Sequence, residues 1–333
     1  MATIYEVSKL AGVSLATVSR AMNDRSRVSE KTLAKVMAAM EQLNYRPNSI
    51  AQSLAANRSN SVGVLVSEIH GPIFGAMLSG IDAELRASGK FTLFATGHSD
   101  REKEREGIRF LTSRNCDALI LHIEALTDEY LLEHRDESTP FVVINREIAG
   151  MENKCVSLDN ELGGYEATRY LLQLGHRDIA YISGPMSWGD AAARWAGHKR
   201  ALESFGVQFD AGLMVEGDYH ERGGAKGTTR LLENGQPFTA IVCANDEMAA
   251  GAMDAIRAKG LSIPDDISVV GFDNAPLSRY LYPKLTTIDH PATNMGRMAA
   301  KWVLHNVYGI EADIQRMFAP TLIERASTAP PSK

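Results

Sequence analysis

The sequence predicts two unlike parts: an all-α helix-turn-helix head, followed by an α/β body whose parallel sheets form two similar lobes. Three observations carry this. Short helices, each opened by a Ser or Thr cap, follow one another within the first 45 residues. From residue 62 onward, short β-branched runs alternate with helical stretches, and the alternation passes through two successive series. Charge divides along the same line. Residues 1–58 carry eight Lys or Arg against four Asp or Glu, and the remainder carries 27 against 37, so a basic head precedes an acidic body.

In the head, Thr3 and Glu6 make a T-x-x-E capping box that opens a helix with Ile4, Val7, Leu10 and Ala11 on one face, and Gly12 ends it. Ser14 caps a second helix, LATVSRAM, and Ser29 caps a third, EKTLAKVMAAMEQL. Ile4, Val7, Val13, Val18, Val28 and Val36 can form a small shared core. Two helices joined by so short a Gly-containing turn are a helix-turn-helix, whose second helix suits the DNA major groove. With Val18 and Met22 inward, Leu15, Ala16, Ser19 and Arg20 share the outer face, with Thr17 beside them. Arg20 suits a bidentate contact to guanine, and Leu15 and Ala16 suit thymine methyls. Thr3, Tyr5, Ser14, Asn23 and Ser29 lie at helix ends or edges, where they either bind phosphates or, for the hydroxyls, simply cap helices.

Residues 47–60 then read as a hinge helix and linker between a head at 1–46 and a body at 61–333. Pro47 suits a first helical turn, and so short a helix is unstable alone in water. Ile50 and Leu54 are apolar positions with nothing of their own to bury against; apolar wedges between base steps kink DNA. In the body, the runs at 62–66, 91–95, 118–121 and 141–144 read as one series of buried strands. Those at 178–182, 240–243 and 267–271 read as the second. Ligands bind beyond the carboxyl ends of such strands, so the cleft between the lobes is the expected site.

The runs TIYEVSKLAGVSLATVSRAMND and VSEKTLAKVMAAMEQLNYRPNSIAQSLA resemble the N-terminal signature of the LacI/GalR family of regulators. The resemblance continues through LGHRDIAYISGP, ANDEMAAGAM, IPDDISVVGFDN and YPKLTTID. FGAM, NREIAGMENKCVSLDN and SRYLYPKLTT are most similar to its galactose repressor and isorepressor branch. It implies a periplasmic-binding-protein-like body, with lobe 1 at about 61–160 and 292–320 and lobe 2 at about 161–291 and 321–333. It implies that Leu15 and Ala16 read the operator, that Arg20 makes a shared base contact, and that Leu54 wedges into the minor groove. Effector contacts are implied at Asn145, Arg194, Asn245 and Asp273, with Phe74 and Tyr219 as aromatic walls, Ile69, Gly71 and Pro72 at the first lobe's edge, and His290 from the last crossover. Carboxylate, amide and guanidinium groups suit vicinal hydroxyls. Several members carry Asp where Asn145 stands; Asp273 has a turn cap as its alternative role, and Phe272 and Trp195 read as core.

These readings imply a sequence-specific DNA-binding transcriptional regulator: a repressor of sugar-catabolism genes, released from double-stranded operator DNA by a galactose-like mono- or oligosaccharide. The alternative is a co-repressor-type regulator responding to a purine or nucleoside. The tail ERASTAPPSK has no apolar heptads, so a homodimer rather than a tetramer is expected. An enzyme is disfavoured: there is no G-x-G-x-x-G after the first strand, no G-x-x-x-x-G-K-[ST] and no G-x-S-x-G. A transport binding protein would need an export signal, which MATIYEVSKLAGVS does not resemble. No apolar run is long enough to span a bilayer, so a cytoplasmic protein without a membrane partner is expected. Cys116, Cys155 and Cys243 form no C-x-x-C pair and read as reduced and buried; no metal or cofactor is expected.

Overall fold

The computed structural model of the protein describes residues 2–23, 28–45 and 58–332. The chain divides into one compact unit of Met1–Ser61 with Asn115–Asp117 and another of Val62–Arg114 with Ala118–Lys333. In the first, α1 (Ile4–Ala11), α2 (Leu15–Asn23) and α3 (Glu30–Gln42) follow the expected caps. Both halves of the Thr3–Glu6 capping box form, and Gly12 ends α1 at φ 67, a left-handed conformation that glycine adopts without penalty. Ser14 accepts from the Thr17 amide and Ser29 from that of Thr32.

Val7, Ala11, Val18, Ala21, Val36 and Ala39 are the buried centre of this unit, flanked by Ile4, Val13, Met22, Val28 and Leu33. Each buried valine contributes on the order of 1.5–3 kcal/mol, enough for a small core and little more. Leu10 departs from expectation: it is 45% exposed, because the buried stripe of α1 runs Ile4–Val7–Ala11 and leaves position 10 at its edge.

The larger unit holds two six-stranded sheets. The first takes β1 (Ser61–Val66), β2 (Phe91–Thr96), β3 (Ala118–Leu121), β4 (Phe141–Ile144), β5 (Cys155–Leu158) and β11 (Met317–Phe318), in the order β11-β5-β4-β3-β1-β2. The second takes β6 (Ile179–Ser183), β7 (Met214–Glu216), β8 (Ala240–Cys243), β9 (Ser268–Asp273), β10 (Thr286–Asp289) and β12 (Thr321–Ile323), in the order β12-β10-β9-β8-β6-β7. Strands pair in parallel, as in β1–β3 (Val62 opposite Ala118) and β6–β8 (Ile179 opposite Ala240), while β12 runs antiparallel to β10 at the second sheet's edge. Buried apolar runs such as ALIL, FVVI and AIVC fill the middle of each sheet, as expected where helices cover both faces.

Three helix pairs sit unusually close. In the first lobe, α4 (Pro72–Ala87) packs on α11 (Ala292–Tyr308), where a Cβ on Gly80 would lie 2.1 Å from the Thr293 carbonyl oxygen. In the second, α7 (Asn160–Leu174) packs on α8 (Gly189–Ser204), and α9 (Glu221–Glu233) on α10 (Asp246–Ala258). There a Cβ would lie 1.9 Å from a facing carbonyl oxygen at both Gly197 and Gly251. The remaining helices, α5 (Arg101–Ser113) and α6 (Asp128–His134), flank the first sheet's β2–β4 connections. Among the described residues no helix is long and apolar enough to cross a membrane.

Candidate functional site

On the smaller unit, α2 is the candidate reading element. Val18 and Ala21 are its buried side, while Ala16 and Arg20 are exposed and Leu15, Thr17 and Ser19 half-exposed. Ser14, Thr3 and Ser29 are exposed N-caps, with hydroxyls accepting helix amides; Tyr5 stands 69% exposed on α1. The Asn23 side chain and Leu54 lie outside the described residues, as does most of the expected hinge.

On the larger unit, a cavity opens between the lobes, with about 750 Å³ of empty space including its mouth. It lies beyond the carboxyl ends of the strands: Ser67 follows β1, His122 follows β3, Asn145 follows β4, and Asp273 ends β9. Gly71, Pro72, Phe74, Asn145, Arg194, Tyr219, Asn245, Asp273 and His290 all line it. Ile69 does not; its side chain is 61% exposed.

Arg194 is the centre of the charged wall. It is buried, its Nε donates to Asn160 Oδ1 at 2.8 Å and its Nη1 to the Ala244 carbonyl at 2.6 Å. Asp190 and Asp273 approach it at 3.6 and 3.9 Å without closing a hydrogen bond. The guanidinium lies 3.7 Å from the centroid of Phe272, so that core residue is also the plate beneath the site. Burial works against the charge of Arg194, but Tyr219, Asp190 and Asp273 more than offset it and hold its pKa above the ordinary value. Burial raises Asp273 well above the usual carboxylate range, against the pull of Arg194, and raises Glu124 likewise.

Two of the lining histidines, His290 and His122, are held neutral. Burial pushes His290 down to about 3 and His122 to about 4. His290 Nε2 meets Asn145 Oδ1 at 3.2 Å, whereas its Nδ1 and the Tyr219 hydroxyl are buried with no hydrogen-bond partner, as expected of atoms kept for a ligand. Asn245 caps α10 by accepting from the Met248 amide and donates to the Tyr219 carbonyl. Asn145, Tyr219 and Asp273 all have positive φ (66, 67 and 117°), backbone strain of the kind that collects at ligand clamps.

Sequence reasoning missed several lining residues, among them His122, Glu124, Trp188 and Asp190. Asp190 stands one helical turn before Arg194. His122 and Glu124 directly follow the ALIL strand, where the carboxyl-end rule points. Among the described residues, no group of His, Cys, Asp or Glu is placed to hold a metal ion. The three cysteines are buried thiols, and burial raises Cys116 and Cys155 to about 11 each.

Known proteins share this arrangement. Residues 3–48 match the family described as bacterial regulatory proteins, lacI family, and residues 168–328 match the periplasmic binding protein-like domain. The HTH-type transcriptional regulator GalR of Escherichia coli (strain K12) is 39% identical over 333 residues, covering 100% of this chain and 97% of the relative. The chain belongs to the LacI family. The HTH-type transcriptional repressor PurR of Proteus mirabilis (strain HI4320) is 34% identical over 99% of this chain and 97% of its own length. The lac repressor dimer bound to operator and the anti-inducer ONPF superposes with a TM-score of 0.88 at 31% identity, covering 98% of this chain and 99% of that one. As a LacI-family member the chain is a DNA-binding transcriptional regulator with the helix-turn-helix head and two-lobed periplasmic-binding-protein-like body expected of it; its relatives are regulators, not enzymes.

Proposed function

We propose that the protein is a dimeric repressor whose hold on a pseudo-palindromic operator is released by an uncharged sugar seated between the lobes. The observation that carries the effector class is the charge of the cavity lining. Glu68, Asp190 and Asp218 line it beside Glu124, Glu247 and Asp273, whose carboxyls burial raises, and Arg194 is its one Lys or Arg among the described residues. Such a wall repels phosphate esters and nucleotides. It favours a neutral polyol, whose vicinal hydroxyls bridge a guanidinium, amides and carboxyls. Phe74, Tyr219 and Trp188 supply aromatic faces for the C–H side of a pyranose. In the head, Leu15, Ala16 and Arg20 are offered to base edges, and Thr3, Tyr5, Ser14, Thr17, Ser19, Asn23 and Ser29 to phosphates and groove edges.

A sugar moves the operator equilibrium only by its differential affinity for the two lobe arrangements; roughly 1–3 kcal/mol is typical of such coupling. The second reading is a purine or nucleoside acting as co-repressor. It draws on aromatic rings from both lobes, Phe74 from the first and Tyr219 and Trp188 from the second, which suit a flat base, and on the PurR relative. Fluorescence anisotropy on a palindromic operator, titrated with neutral sugars and with purines, separates the two. Release by a sugar supports the first, tightening by a purine establishes the second, and indifference to every sugar sinks the effector assignment.

A further inference from the structure

The head is joined to the body by one stretch of chain, and the last residues of that stretch before β1 are held by the Asp117 carboxylate. Asp117 Oδ1 accepts from the Ser59 amide at 2.8 Å and from the Ser59 hydroxyl at 3.1 Å, while Oδ2 accepts from the Asn60 amide at 2.8 Å. The Asp117 amide in turn donates to the Ser61 carbonyl at 2.8 Å. The Ser61 amide donates to the Ser59 hydroxyl oxygen at 3.1 Å, so residues 59–61 curl around the carboxylate and present successive N–H groups to it. Strand entry does not require this curl. Pairing starts at Val62 opposite Ala118 with extended backbone, whereas Asn60 and Asn115 stand at φ 55 and 57, in the left-handed region. The curl serves the carboxylate contact, whose bonds span 57–58 residues of sequence.

Both strands that start at this clamp run toward the effector cavity. β1 leads to Ser67 and β3 to His122 and Glu124, and all three residues line it. The carboxyl end of β3 is fixed by a second carboxylate. Glu104, only 1% exposed, accepts backbone N–H bonds from Glu124, from Ala125 with both oxygens, and from Leu126, at 2.8–3.1 Å. Hydrogen bonds to a carboxylate are roughly twice as strong as neutral ones. Between the two grips lies only ALIL, buried throughout. A strand so short, close-packed and held at both ends moves as a unit, so a shift at its cavity end is carried to Asp117.

We propose that Asp117 is the positioning residue through which the state of the effector cavity reaches the head. It clamps the incoming chain at residues 59–61 to the amino end of β3, so movement of β3 redirects the chain that leads to the DNA-binding helices. This rests on the cavity being the effector site, and not on which effector fills it. Asp117→Asn breaks the clamp with little change in size: one acceptor oxygen becomes an NH2 group, a donor facing an amide donor. Ser59→Ala removes the hydroxyl bond alone.

The test uses the full chain with and without a palindromic operator duplex, as wild type and as both variants. Because coupling between sites is reciprocal, operator binding should change hydrogen exchange in the loop after β3, residues 122–126, by at least about two-fold. In Asp117→Asn that change should vanish, and operator affinity should fall about ten-fold. Trypsin reads the clamp itself. Arg46 precedes Pro47, a bond trypsin leaves intact, so within residues 46–61 its site is the exposed Arg58, immediately before Ser59. Cleavage there in the free protein should quicken about ten-fold in Asp117→Asn, and by less in Ser59→Ala. An unchanged cleavage rate after Arg58, an exchange change absent from the wild type, or one that survives Asp117→Asn would each overturn the proposal. So would a lowered unfolding midpoint with cleavage quickened equally throughout the body, because Asp117 would then serve stability alone. None of these outcomes bears on the effector class, which the sugar and purine titration decides.

Discussion

The first lobe meets the cavity with Phe74, His122, Asn145 and the Gly71–Pro72 turn, the second with Asp190, Arg194, Asn245 and Asp273. Their backing differs as much as their chemistry. Beneath Arg194, α7 and α8 press together reciprocally, Gly164 against the Arg194 carbonyl and Gly197 against that of Glu161. Beneath Asn245, Gly224 meets the Met248 carbonyl and Gly251 that of Glu221. The first lobe has one such pair, Gly80 with Thr293 and Gly296 with Met77, while Gly75, next to Phe74, faces open space. A buried ion group demands fixed geometry, because a misplaced charge in a low-dielectric site recovers little of its desolvation cost. An aromatic wall tolerates small shifts. The close helix spacing accordingly lies under the charges.

The largest expected effect comes from removing the cation. Arg194→Met leaves Asp190 without the buried cation beside it and strips donors from Asn160 and Ala244, so stability should fall by about 3–5 kcal/mol in urea unfolding. A loss below about 1 kcal/mol would show that Asp190, Asn160 and the Ala244 carbonyl find other partners or water, and would erase the contrast between the lobes.

Acid should act on the two walls with opposite signs. The folded state keeps His122 neutral down to about pH 4, whereas an unfolded histidine takes its proton near 6.5. Between those values the unfolded chain binds more protons. His122 therefore contributes stability that is present above about pH 6.5 and is lost as pH falls toward 4, on the order of 3 kcal/mol in full. Asp273, raised by burial, works the other way: its folded carboxyl holds a proton that the unfolded one has released, so its contribution improves as pH falls. Stability of the wild type minus that of His122→Gln should thus increase with pH across this window. Parallel pH curves would mean that the ring is solvated.

Helix spacing gives a smaller effect with a built-in control. Gly197→Ala forces a methyl to within 1.9 Å of the Glu161 carbonyl oxygen and should cost about 1–3 kcal/mol. Gly75→Ala, in the α4 interior with nothing within 4 Å, should instead stabilise by roughly 0.5–1 kcal/mol. Equal unfolding midpoints for the two variants would remove close packing from the account.

Signals that act over a few residues were readable in advance. The Thr3–Glu6 box, Ser14 and Ser29 set the head's helices through contacts three residues away, and ALIL, FVVI and AIVC announce buried strands by composition alone. The cavity depends on distant partners. Arg194, Asn245 and Asp273 came from the family resemblance, and no periodicity brings them together. His122 and Glu124 follow a strand that was foreseen, so applying the carboxyl-end rule to ALIL would have found them. Glu104 gives no local sign, since its partners lie 20–22 residues away across the sheet. Met317–Phe318 is too short to carry a period, and in Cys155–Leu158 a serine interrupts the apolar run that marks ALIL and FVVI.

The smallest effect tests whether the second wall acts by position or by contact. Both polar atoms of Asn245 are already used, Oδ1 for the Met248 amide and Nδ2 for the Tyr219 carbonyl, so the side chain ties the α10 cap to a residue held at φ 67. Asn245→Ser keeps a cap and loses the tie: stability should change by only a few tenths of a kcal/mol, while effector affinity falls about ten-fold as Tyr219 relaxes. Asn245→Ala loses both and should cost about 1 kcal/mol in addition. Thermal unfolding alongside effector titration separates the two contributions. Were Asn245→Ser to bind the effector normally, Tyr219 would be held by its own surroundings, and the second lobe would be no more preorganised than the first.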